Sequence, residues 1–368
     1  MNKEKSLRAQ VSEFSRGDRV RTLENLPMDI PISHKSDSII FDGRLRTRKR
    51  IVLLTSGCGI GTCTMCPFPN ESLAGVSEQN IINQFDHSFI DTTISDHEVI
   101  TIFNNGNFFR DSEITPKVRD YIYDKVRNSG SKYLSVESLP QFVTEQKILD
   151  AKEKLGDVRL SVFMGFQTSN DFIREVAINT TCTKKAFETA VSNLLANNFI
   201  PVAFLMIKPP FLTEVEAIED TCTSIEYLAD IGVSYATLCP TRVAPNTVLE
   251  KLHRASMYTP PWTWSVIEIL KRNRDAGISL PMVNTSELKS DMNEDSLCAQ
   301  GCPKCTDRNI KAIEQFLYTR DFSLIDSLDC DCQEDYEEFK REETATWSYL
   351  TIEDRIKMFL EMQKKMLR

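Results

Sequence analysis

Three cysteines crowd one short loop. Cys58, Cys63 and Cys66 stand in the pattern Cys-x4-Cys-x2-Cys within IVLLTSGCGIGTCTMCPFPN, residues 51–70. Thiolates at that spacing can hold three irons of a [4Fe-4S] cubane, which leaves the fourth iron open to an outside ligand. Zinc is a competing reading, but structural zinc takes four closed ligands, and His87 and His97 both fall outside the loop. Incidental buried thiols are the third reading. Met65, between the last two cysteines, is placed to face whatever binds the open iron. Gly59 and Gly61 are expected to let the backbone wrap closely, because glycine tolerates positive φ.

A second group lies near the other end. Cys302-x2-Cys305 and Cys330-x-Cys332 supply four thiolates in two close pairs. That is the donor set of a structural tetrahedral Zn2+. Cys298 adds a fifth thiol and keeps an auxiliary iron–sulfur cluster open as the alternative. Cys182, Cys222 and Cys239 are isolated and expected to be small buried hydrophobes. The chain has 11 cysteines and no visible export signal, so the grouped ones read as metal ligands rather than disulfides.

Composition bounds the rest. The 368 residues are 41% hydrophobic and 26% charged, ordinary values for a globular protein. No apolar run reaches the length of a membrane span, and the charged N-terminus lacks the apolar region of a signal peptide. A cytoplasmic location is therefore expected. The net charge of −9 argues against a broad nucleic-acid footprint. One basic run, Arg44 to Arg50, remains. It reads as a solvated face, with a phosphate or nucleic-acid contact as the sharper alternative.

The elements that must position these residues alternate. Strands are expected at Ile51–Thr55, Val99–Phe103, Tyr133–Val136, Val158–Met164, Ile200–Ile207 and Ser234–Leu238. Helices are expected at Ser112–Asn128, Thr144–Lys154, Lys184–Ala196, Glu214–Ile231 and Trp264–Asp275. Such alternation predicts a parallel sheet of βα units, here a partial (β/α)6 barrel. Barrel chemistry sits at the carboxyl ends of the strands. That is where the cysteine loop, Asn105-Gly106-Asn107, Glu137, Gln167 and Lys208 fall. The expected organisation is an N-terminal helical extension (1–45), the barrel (46–283) and a C-terminal Cys-rich, helical extension (284–368). Residues 284–305 read as a loop, a helix is expected at Arg308–Leu317, and a last helix is expected near Ile352–Leu367 after a charged tail.

Several motifs together resemble the radical S-adenosylmethionine (radical SAM) superfamily. They are Gly61-Thr62-Cys63-Thr64-Met65-Cys66, Ser135-Val136-Glu137-Ser138, Lys208-Pro209-Pro210-Phe211-Leu212-Thr213-Glu214 and Pro260-Pro261-Trp262-Thr263-Trp264-Ser265. With the distal cysteines they resemble the branch that holds the elongator catalytic subunit and the radical SAM subunit of archaeosine synthase. The resemblance spans about residues 45 to 335. The chain departs from that branch in the short gap between Cys58 and Cys63. It also departs at three strand ends, which carry Asn105-Gly106-Asn107, Glu137-Ser138-Leu139-Pro140-Gln141 and Gly165-Phe166-Gln167. Ligands contact a barrel at such positions.

The resemblance implies a [4Fe-4S] cluster on Cys58, Cys63 and Cys66, with S-adenosyl-L-methionine on the open iron. Asn105, Gly106 and Asn107 would then meet the SAM amino group. Glu137 and Gln167 are candidates for SAM contacts, the latter at the ribose. Glu137 reads equally as a structural hydrogen-bonding group. Arg174 would reach the SAM carboxylate, unless it is a surface residue. Lys208 would anchor an anionic substrate, unless it snorkels to the rim. Trp262 and Trp264 are expected to pack a helix start, with an aromatic platform for a base as the alternative. The implied chemistry is reductive cleavage of SAM to a 5′-deoxyadenosyl radical, fed by an external reductant of flavodoxin or ferredoxin type. A small-molecule substrate is expected. The alternatives are tRNA, with an archaeosine-type cleavage of a lysine adduct of deazaguanine, and a non-enzymatic iron–sulfur redox sensor.

Overall fold

The computed structural model describes residues 5–17, 26–41, 43–279, 281–289 and 296–366. Helix α1 (Leu7–Gly17) comes first, then strand β1 (Ser33–Phe41), which pairs antiparallel with β2 (Arg44–Val52). The turn between them uses Gly43 at φ 71°, where a side chain would be strained. The basic run is therefore a strand of its own and part of the sheet, not a segment that precedes it. The loop with the three cysteines leaves β2 and leads to α2 (Glu78–His87), whose Ser77 cap accepts from the Asn80 N–H.

Regular βα units follow. Strand β3 (Val99–Phe103) leads to α3 (Pro116–Ser129), β4 (Tyr133–Glu137) to α4 (Glu145–Leu155), and β5 (Arg159–Gln167) to α5 (Lys184–Ala196). Strand β6 (Ile200–Ile207) leads to α6 (Glu214–Asp230), and β7 (Tyr235–Pro240) to α7 (Val248–Arg254) and α8 (Thr263–Asp275). Local chemistry sets these ends. Pro116 opens α3 and Gly130 closes it at φ 82°; Thr144 caps α4 through the Lys147 N–H; Thr213 and Glu216 form a capping box on α6. The short β8 (Pro281–Val283), α9 (Thr306–Thr319), α10 (Ser323–Asp326), α11 (Cys332–Trp347) and α12 (Ile352–Met366) complete the chain.

Among the described residues, eight strands lie in one sheet in sequential order, β1 to β8. Strands β2 to β8 are parallel. Sequential parallel strands with helical crossovers curl into a partial barrel. The expected six strands are present as β2 to β7, and β1 and β8 extend both edges. Helix α9 packs against β8 and β1 together, so it stands across the open side.

Two of three apolar clusters hold the sheet to its helices and cap its mouth, the third and smallest being Phe41, Val99, Tyr133, Ile200 and Val202. The larger lies between the outer face of the sheet and the helices, and includes Ile100, Ile102, Leu134, Val136, Leu160, Val162, Ala203 and Leu205. The second caps the mouth. Val11 of α1, Ile173 and Ile178, Leu249 and Leu252 of α7, and Ile356, Phe359 and Leu360 of α12 meet there. Helices α2, α7, α10 and α11 are absent from the sequence-based expectation. The last is the charged tail, a 16-residue helix. Of the loop 284–305, residues 290–295 lie outside the described residues. Among the described residues no helix is long and apolar enough to cross a membrane.

Candidate metal centre and cofactor site

The cysteine loop is clamped to the turn Ile173–Ala177 and the residues after it. The Thr64 N–H donates to the Ile178 carbonyl at 2.9 Å and its hydroxyl to the Ala177 carbonyl at 2.8 Å. The Thr62 hydroxyl donates to the Asn179 carbonyl, and the Asn179 amide returns a bond to the Thr62 carbonyl, both at 2.9 Å. Ser15 of α1 reaches the Cys63 carbonyl, and the Leu249 N–H of α7 reaches the Thr64 carbonyl. Three separate elements thus fix the backbone of the loop. Its thiols are half-buried, and none is in a disulfide.

Of the two glycines expected to take positive φ, Gly61 does and Gly59 does not. Gly57 and Gly61 take φ of 79° and 55°. At Gly59 the Arg110 guanidinium lies where a Cβ would be. Met65 is partly buried and packs against the second core.

At the end of β3, Asn107 is almost fully buried and ties four groups together. Its amide donates to Glu113 Oε1 at 3.0 Å and points to Cys58 Sγ at 3.8 Å. Its side-chain oxygen accepts from the Leu139 N–H at 2.7 Å, and its own N–H donates to Glu113. Arg110 bonds Glu113 as well, at 3.1 Å. Glu113 also fills the place of a Gly106 Cβ, so Gly106 serves close approach. Burial pushes the Glu113 carboxyl up, against the hydrogen bonds from Asn107 and Arg110. Arg110 and Glu113 were not singled out from the sequence. The available signal was two opposite charges three residues apart beside a strand end.

Glu137 turns its carboxylate to the same loop. It accepts from the Asn104 N–H at 2.7 Å, with the N–H groups of Asn105 and Gly106 beside it. Burial pushes its pKa up to about 7 despite those donors. Of the two readings of Glu137, the hydrogen-bonding one is what the geometry displays. Gln167 sits at φ 73° beyond a bulge between Gly165 and Gln167, which re-aims the end of β5.

Two cations differ from expectation. Arg174 is fully buried, not at the surface. Its guanidinium donates to the carbonyls of Cys182 and Thr168, at 3.1 and 3.0 Å, and bonds Asp171 and Glu175. These bonds engage its donors within the protein. Lys208 is buried as well, so it neither snorkels to the rim nor presents a free charge. Its ammonium lies 2.8 Å from Glu214 and 2.8 Å from Glu343 of α11. Burial works to lower its pKa, but the two carboxylates hold it above its ordinary value. Two counter-charges leave no net positive charge for an anionic substrate.

The distal cysteines converge. Neighbouring Sγ atoms of Cys302, Cys305, Cys330 and Cys332 are 3.4 to 3.5 Å apart, and all four lie within 4.8 Å of one another. Four thiolates at about 2.3 Å around one tetrahedral ion would stand about 3.8 Å apart. Thiolates on a cubane sit on separate irons and are farther apart. The four thiols are close enough to hold a metal ion together, and Cys298 is not in the group. The Trp264 indole N–H donates to Cys332 Sγ at 3.3 Å, and Trp262 packs on Tyr336 and Phe339. Both tryptophans have packing roles. Cys182 is buried, and burial pushes its thiol up to about 12; Cys222 and Cys239 are only half-buried.

Known proteins bear on this arrangement. The chain is 32% identical over 307 residues to an uncharacterized protein of Methanocaldococcus jannaschii, a match that covers 81% of this chain and 83% of that one. It is 26% identical over 315 residues to the archaeosine synthase subunit beta of Methanosarcina acetivorans, which covers 84% and 89%. Among solved structures, the archaeal Elp3 of Methanocaldococcus infernus aligns at 14% identity and a TM-score of 0.46, over 65% of this chain and 57% of that one. No family model matches the chain. The chain belongs to one family with the M. jannaschii protein. Its cysteine loop, leaving the first parallel strand of a curled sheet, is similar to that of radical SAM enzymes, and its sequence is similar at lower identity to archaeosine synthase subunit beta.

Proposed function

We propose that the chain is a radical SAM enzyme acting on a small molecule. The observation that carries the reading is the clamped loop: three half-buried thiols, free of disulfides, on a backbone held by α1, α7 and the residues after β5. Three thiols without a fourth in the loop fit a cluster with one open iron. When bound, a [4Fe-4S] cluster and SAM would supply a 5′-deoxyadenosyl radical by one-electron cleavage of the sulfonium, with an external flavodoxin- or ferredoxin-type protein as the electron source.

The residues of the chain do the positioning. Cys58, Cys63 and Cys66 would hold the irons. Asn107 steadies Cys58 with its amide and holds the loop before Leu139. Glu137 fixes the N–H groups of 104–106, which leaves the carbonyl side of that turn to meet the SAM amino group. The re-aimed end of β5 at Gln167 would meet the ribose. Arg174 orders the turn beneath the cysteine loop. The four distal thiolates would hold a structural Zn2+.

A second reading is supported by the relatives named archaeosine synthase subunit beta: an archaeosine-type reaction on tRNA. Against it, Arg46, Arg48 and Lys49 of the basic strand are already paired with Glu98, Asp37 and Asp91. Iron and acid-labile sulfide counts on the reconstituted protein test the cluster. We expect about four of each, with loss of the cluster in Cys63→Ala. A cluster that persists in that variant contradicts the assignment. A steep salt dependence of tRNA affinity would favour the second reading.

A further inference from the structure

The inner face of the sheet carries side chains with no part in holding the cysteine loop. Strand register sets Arg50, Thr101, Ser135 and Ser161 in one row across β2 to β5. Glu137 and Phe163 pair in the next row, two residues nearer the strand ends. Phe103 and Phe204 flank that row, with ring centroids 6.0 and 5.3 Å from Phe163. All three rings are half-buried although they sit in the middle of the sheet. The residues between them in sequence, on the outer face, are fully covered by helices. A central strand leaves large aromatics half-open only where its face borders a chamber, and these rings form an apolar wall.

Below that wall is a cation without a counter-ion. In the basic strand, Arg48 takes both oxygens of Asp37 at 2.7 and 2.8 Å. Arg46 takes Glu98 at 2.8 Å, and Lys49, on the other face, takes Asp91 at 3.2 Å. Arg50 has no hydrogen bond or ion pair among the described residues. The charged and titratable groups facing it are Arg48, the already committed Asp37, and Tyr318 of α9. The carboxylate of Glu137, one row up, is turned to the backbone of 104–106. A half-buried guanidinium keeps its charge, and an uncompensated charge away from water is costly. In the same row Ser161 is fully buried, and its hydroxyl has no hydrogen-bond partner. Two unsatisfied polar groups on one inner row point to a ligand that satisfies them.

We propose that Arg50 is an anion subsite on the floor of the chamber. The substrate then has a planar apolar part against Phe103, Phe163 and Phe204 and an oxyanion, carboxylate or phosphate, forked by Arg50. Ser161 supplies a second hydrogen-bonding position in that row. This rests on the reading of the inner face as the substrate chamber, and it gives that substrate a chemical class.

The test is fluorine NMR titration of the full-length, anaerobically reconstituted protein with three probes: para-fluorobenzoate, para-fluorophenyl phosphate and the neutral para-fluorobenzamide. We expect one or both anions to bind at least about tenfold more tightly than the amide, a factor typical of one charge-assisted pair. The preferred anion tells a carboxylate substrate from a phosphorylated one. Arg50→Gln should abolish the preference and Arg50→Lys should keep part of it. Arg44→Gln, at an exposed position of the same strand, should change nothing. Phe163→Leu should weaken all three probes. Circular dichroism checks that each variant folds; should Arg50→Gln fail, the lysine variant and Phe163→Leu still decide. No saturable binding by the wild type, equal affinity for anions and amide, or a preference that survives in Arg50→Gln overturns the proposal. Formation of 5′-deoxyadenosine is measured separately on the same samples. Its absence sinks the radical chemistry without touching the binding result, and the reverse holds equally.

Discussion

Glu137 is where residue-scale chemistry can be read through pH. Its folded pKa is raised from 4.5 to about 7 by burial. The fold therefore favours its protonated form. The stability this contributes is complete below the ordinary value and is lost as pH rises through about 7. Urea unfolding between pH 4.5 and 7.5 should show the wild type losing stability more steeply than Glu137→Gln (range set by the quoted pKa values). Identical slopes would mean that the carboxylate is not the group responsible. Much of the site was legible at this scale. Cysteine spacing marks the loop, because ligand type and separation are written directly in the chain. What the charges do was not legible. Arg174 and Lys208 looked like ligand contacts, but Arg174 turns back on the carbonyls of Thr168 and Cys182 in its own loop, and Lys208 is engaged by Glu343, distant in sequence. Arg110 and Glu113 matter through packing against Gly59 and Gly106, which no spacing reveals.

At the scale of elements, Lys208 fastens α11 to the barrel. It stands at the end of β6 with Glu214 at the start of α6, and Glu343 reaches in from α11 to both the ammonium and the Glu214 N–H. Lys208→Met removes the cation and leaves two carboxylates together. Breaking a buried pair in this way costs about 3–5 kcal/mol. Urea unfolding should show that loss, and a cost under about 1 kcal/mol would mean that the triad behaves like a surface pair. The outer-face strands were readable from their apolar runs, and Lys184–Ala196 and Ile200–Ile207 match residue for residue. Helix α11 was missed because its sequence, CQEDYEEFKREETATW, has little apolar face. It is held by ion pairs and a few aromatic contacts rather than by a stripe. The start of β2 was missed because arginines at its inner-face positions hide the alternation, and the strand expected to run to Thr55 ends at Val52.

On the whole molecule, the distal thiolates join α9 to α11, and α9 stands across the open side of the sheet. Four thiols that hold a metal lend folding energy only when it is bound. Elemental analysis should find one zinc per chain after aerobic purification from which iron is lost. A chelator strong enough to remove it should lower the melting temperature. No zinc, or a melting temperature indifferent to the chelator, would return the site to an auxiliary cluster or to none. The sheet as a whole followed from alternating strands and helices. The two edge strands did not, since β1 pairs only through a hairpin and β8 has three residues. The central claim is that this architecture cleaves SAM. The most direct measurement is anaerobic incubation of the reconstituted protein with SAM and dithionite, followed by chromatography for 5′-deoxyadenosine. The account predicts 5′-deoxyadenosine from the wild type and none from Cys63→Ala. An intact cluster that yields no 5′-deoxyadenosine would contradict it and leave an iron–sulfur protein of another kind.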